Sequence, residues 1–83
     1  MNGSVQNKAA SVVAGILLPA EWDKNGSVTG LLIASFDDQN YHLVCSEIPA
    51  EWHDYLTKSV TVKGPILSTH GRNRILVHSL DPL

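Results

Sequence analysis

SVTVKGPILSTHGRNRILVHSLDPL, residues 59–83, is the stretch on which the fold turns. Residues 59–68 alternate, with Val60, Val62 and Ile66 on one face and Thr61, Lys63 and Leu67 on the other. A period of two is that of a half-buried strand. Gly64 takes the inward slot between Val62 and Ile66. A glycine there marks a bulge or a sharp bend, as at the corner of a closing barrel. His70-Gly71-Arg72-Asn73 reads as a turn, and residues 74–80 as a last strand with Ile75 and Val77 inward.

The segment before this hairpin has a different period. Ile48, Trp52, Tyr55 and Leu56 stand at i, i+4, i+7 and i+8, one face of a helix. Pro49 suits a first helical turn because its missing N–H would have had no partner there. Glu51 favours the same end through the helix dipole. Asp54 and Lys58 form an i,i+4 pair in the better order. The spacing predicts a helix over 49–58 with Trp52 buried.

Further towards the N-terminus lie three extended runs. Residues 11–22 are almost all apolar and read as a long first strand, buried on both faces for part of its length. Asp23-Lys24-Asn25-Gly26 follows, and Asn-Gly between apolar runs is a strong hairpin signal. Residues 27–36 make a second strand, Asp37-Asp38-Gln39-Asn40 a turn, and residues 41–45 a short third strand. Residues 1–10 are polar and aperiodic and read as a flexible terminus. The order is β-β-β-α-β-β. Closing five strands into a barrel removes two long open edges.

This order resembles the OB-fold, a five-stranded Greek-key barrel with one capping helix, over residues 11–83. The hairpin Val60-x-Val62-x-Gly64-x-Ile66 with Ile75-x-Val77-x-x-Leu80 resembles the closing unit of many OB domains. The chain is also similar to small stand-alone bacterial OB-fold proteins of unassigned function. The resemblance implies a ligand face on strands two and three, flanked by the first and last hairpin loops. Carried onto this chain, that face is Thr29, Leu31, Ile33, Ser35, Tyr41 and Leu43, with residues 23–27 and 70–73 flanking it.

Composition bounds the function. The chain has 83 residues, enough for one domain, and a net charge of −2. That balance disfavours bulk electrostatic coating of duplex DNA. The charges are segregated: residues 21–54 hold seven acids and only Lys24 as a base, while residues 55–80 hold Lys58, Lys63, Arg72 and Arg74 and no acid. On the OB reading His70, Arg72 and Arg74 crowd one rim of the ligand face, where arginine can grip phosphate bidentately. A solvated hairpin tip that balances the acidic half is the competing reading. Phe36 and Tyr41 flank the second turn and offer a small stacking pair, or pack across it as hairpin neighbours. The candidate ligand-binding residues are therefore Arg72, Arg74, His70, Tyr41, Phe36 and Lys63.

Catalysis and metal binding lack a signature. His42, His53, His70, His78 and Cys45 show no metal-ligand spacing. Asp37 and Asp38 are neighbours on an alternating chain and point apart, so they make no acid–base pair. The single cysteine excludes an intrachain disulfide. The expectation is a non-catalytic binding module without cofactor or metal. Weak single-stranded nucleic-acid binding is its first role, and protein interaction or assembly, using apolar residues such as Leu31, Leu67 and Leu76, is the alternative. No membrane span is expected, because the apolar run of residues 11–20 is too short for one. A cytoplasmic location follows, with a secretory signal over residues 8–20 as the competing reading.

Overall fold

The computed structural model describes residues 11–69 and 71–83. The expected flexible terminus, residues 1–10, and the candidate residue His70 lie outside them. The strands are β1 (Ser11–Trp22), β2 (Val28–Ser35), β3 (Asn40–Val44), β4 (Ser59–Gly64), β5 (Ile66–Thr69), β6 (Arg72–Leu76) and β7 (Ser79–Pro82), with a 3₁₀ helix at Ala50–Tyr55. The protein is mostly β, and the seven strands of the described residues form one curled, open sheet in the order β5-β6-β3-β2-β1-β4-β7.

Seven strands replace the expected five because each of the last two segments is interrupted. Pro65 separates β4 from β5 and has no N–H for a ladder. Gly64 precedes it, and a side chain at that position would run into the backbone carbonyl of Leu76. Opposite, Val77 and His78 separate β6 from β7. The two halves still pair antiparallel on either side of the break, β4 with β7 and β5 with β6. Leu76 N–H donates to the Pro65 carbonyl at 2.9 Å and His78 N–H to the Lys63 carbonyl at 2.8 Å, bridging it.

The first turn is tighter in its control than an Asn-Gly pair alone. Only Gly26 adopts positive φ, at 86°. The Asp23 carboxylate accepts the N–H groups of Asn25 and Ser27 at 2.8 and 3.0 Å. Aspartate at a turn start commonly satisfies the backbone in this way.

The helix is a six-residue 3₁₀ helix, not the longer α-helix that the apolar stripe predicts. Its closures run from residue i+3 back to residue i: Trp52 N–H donates to the Pro49 carbonyl at 3.0 Å and, at the C-cap, Leu56 N–H to the His53 carbonyl at 3.4 Å. The segment is tied down just after Leu56, where Thr57 N–H donates to Leu17 at 2.7 Å and Leu17 N–H donates to Lys58 at 3.1 Å. A 3₁₀ helix advances about 2.0 Å per residue against about 1.5 Å for an α-helix, so it spans a fixed gap with fewer residues. Trp52 is buried, with Ile48, Tyr55 and Leu56 packed beside it against the core, as the stripe predicts.

The core is Val13, Leu17, Leu31, Ile33, Trp52, Val60, Val62, Ile75 and Leu80. Its strand members alternate with outward residues. Leu31 and Ile33 are therefore core, and Leu31 is not the exposed apolar residue that the sequence suggests. On β1 only one face is buried: Val13 and Leu17 point in, while Val12 is 61% exposed and Ala14, Ile16 and Leu18 are half-buried.

Candidate ligand-binding face

The outward surface of β2, β3 and β6 carries the site. Register places Leu18, Leu32, His42, Arg74 and Leu67 in one row across β1, β2, β3, β6 and β5. In-register neighbours share a face. Leu31, Ile33, Tyr41 and Leu43 lie on the core side and Thr29 is exposed, whereas Gly30, Leu32, His42 and Val44 have the opposite parity to Leu31 and Leu43.

A groove of about 550 Å³ opens on this surface, lined by Glu21, Gly30, Leu31, His42, Val44, Cys45, Arg72 and Arg74 among others. Three local features shape it. Register shifts on either side of Glu21 bring that residue opposite Gly30. Gly30 has no side chain, and Glu21 fills part of the space; a Cβ at residue 30 would stand 2.6 Å from its Oε1. The β2–β3 ladder covers only Leu32, Ile33 and Ala34, so the strands part beyond His42. A second hollow of about 340 Å³ begins at the same parting and shares Gly30, Leu31, Leu43 and Cys45 with the first. It runs towards Ile48 and His53.

Arg72 and Arg74 line the groove on β6, and Glu21 lines it from β1. Two cations thus face one anion across an apolar and histidine floor. The Cys45 thiol is pushed up by burial, which keeps it neutral and a poor nucleophile near pH 7.

The other candidates lie elsewhere. Tyr41 is half-buried and packs against the core. Phe36 is 61% exposed, and its N–H is tied to the Ala14 carbonyl at 3.1 Å. The two therefore sit in different environments, one under the sheet and one in solvent. Lys63 stands on β4, in register with Val12 and Ser79, outside the groove. Sequence reasoning missed Glu21, Gly30 and His42. The lone glycine inside a strand was the available signal for Gly30. Nothing in the sequence marks the bulge that turns Glu21.

Among the described residues no group of three His, Cys, Asp or Glu side chains could hold a metal ion. No helix in them is long and apolar enough to cross a membrane. Comparison of the chain with family models, with curated proteins and with solved structures finds no match.

Proposed function

We propose that this chain is a non-catalytic binding module of OB type whose outward groove takes single-stranded nucleic acid weakly. The strand pairing supports the OB part. The antiparallel run β1–β2–β3, the parallel pair β3–β6 and the antiparallel pair β1–β4 agree with the pairing expected of a Greek-key barrel. Reading β4 with β5 and β6 with β7 as two bent strands restores the count of five.

The observation that carries the ligand is the groove itself, with Arg72 and Arg74 along one wall. A backbone phosphate can lie against the guanidinium groups. His42 and the apolar side chains of Leu31, Leu43 and Val44 offer a base a surface between the walls. The groove's single acid and the chain's net charge of −2 keep affinity low.

Fluorescence titration with a short oligothymidylate at low and moderate salt tests this. With a fluorescently labelled oligonucleotide, we expect saturable binding at low salt. Two phosphate contacts give a log–log salt slope of about −1.4, and Arg72→Ala removes about half of it. No binding at low salt would sink the proposal, because phosphate contacts are strongest there.

A further inference from the structure

A second surface adjoins the groove, meeting it where Leu32 pairs with His42. The outward side of β1 presents Val12, Ala14, Ile16 and Leu18, and Leu32 and Ala34 on β2 continue it in register. Phe36 lies at its edge, and both Phe36 and Val12 are 61% exposed. A contiguous apolar patch on a small protein generally marks a contact surface. The sequence of β1, apolar on both faces, is that of a strand covered twice; the single chain covers it once among the described residues.

We propose that this face is the interface of a symmetric homodimer, in which Glu21 of each copy meets Lys63 of the partner subunit. Charge selects the occupant. Strands β1, β2 and β4 together carry only two charged residues, Glu21 and Lys63, of opposite sign. They stand at opposite ends of the apolar strip. Lys63 pairs in register with Val12, and Glu21 lies nine residues further along β1, about 30 Å at strand rise. A two-fold axis crossing β1 near Ile16 reverses the strand. It lays the Val12–Lys63 end of one copy over the Leu18–Glu21 end of the other, so both ion pairs form together. An axis parallel to β1 would set acid on acid and base on base. The face is thus self-complementary in one orientation, as an isologous contact requires.

The strip spans about 20 Å along β1 and two strands across, several hundred Å² per copy. That is the low end for specific association and implies a dimer that forms with concentration. The pairing also draws Glu21 towards the partner and brings the partner subunit's Lys63 to the edge of the groove. The dimer itself does not rest on the nucleic-acid reading.

Sedimentation equilibrium of the full chain, from micromolar to several hundred micromolar, tests it. The expected mass rises from 9.0 kDa towards twice that value. Glu21→Lys or Lys63→Glu alone weakens association about tenfold, since each change replaces two attractions by two repulsions. The double variant Glu21→Lys/Lys63→Glu restores it. Ile16→Lys abolishes it while circular dichroism stays that of the parent. Should Ile16→Lys fail to fold, the charge variants at exposed positions still decide. A strict monomer overturns the proposal, including one in which deleting residues 2–10 uncovers dye-binding apolar surface. A dimer indifferent to both charge reversals overturns it equally.

Discussion

Trp22 and Trp52 are the same residue in opposite surroundings, and their difference sets two expectations. Trp52 is 8% exposed and Trp22 57%. Truncating a buried tryptophan typically costs about 3–5 kcal/mol, against roughly 5–10 kcal/mol for a whole domain of this size. Trp52→Ala is therefore expected to be largely unfolded at 25 °C, whereas Arg72→Ala, at an exposed site, shifts stability by less than about 0.5 kcal/mol. Urea melts of both variants check this, and a parent-like melt for Trp52→Ala would remove Trp52 from the core. Cys45 yields a third expectation. Burial raises its thiol pKa, so the folded state holds the proton more tightly than the unfolded chain. That contribution is fully present below the ordinary thiol pKa and is lost as pH rises through the folded value. Alkylation of Cys45 should be slower at pH 8.5 than in the urea-unfolded chain; equal rates would contradict the burial argument. At this level the sequence was informative about Trp52, because a helical stripe names its own buried face. It was silent on Trp22, whose exposure follows from register shifts at the end of β1.

The 3₁₀ helix and the long hairpin show how elements depart from their sequence patterns. The apolar stripe 48, 52, 55, 56 predicts which side is buried, and that side is the one packed on the core. It does not predict the pitch, because pitch is imposed by anchoring Thr57 and Lys58 to Leu17. The anchor has a local cost. Thr57 takes φ 66°, a left-handed conformation that β-branched residues avoid. Thr57→Gly removes that clash and loses some backbone entropy in exchange. We expect a net gain of about 1 kcal/mol, read as a higher urea midpoint with unchanged slope. A lower midpoint would mean that the Thr57 side chain contributes more than its backbone costs. In the hairpin, alternation through Val60 and Val62 was legible, as was the bend at Gly64. Its division into four strands was not, because Pro65 breaks pairing only where a partner strand runs alongside.

For the whole molecule, the two proposed surfaces respond differently to the same change of conditions. Salt should weaken oligonucleotide binding in proportion to the phosphates held, and it should weaken the dimer only through the two Glu21–Lys63 pairs, leaving the apolar contact in place. Local pattern by itself determined much here: the strand runs and turns, the buried helix face, the inward valines, and a charge balance unsuited to duplex coating. Each is written in spacing along the chain, where propensity and periodicity act. Only the tertiary structure decided which parity of β2 and β3 faces out, that Glu21 comes to lie over Gly30, that β2 and β3 part beyond His42, and that the described residues bury only one face of β1. Those depend on register between strands distant in sequence. A one-residue slip reverses every side chain, and no single strand's sequence records the slip its neighbours impose.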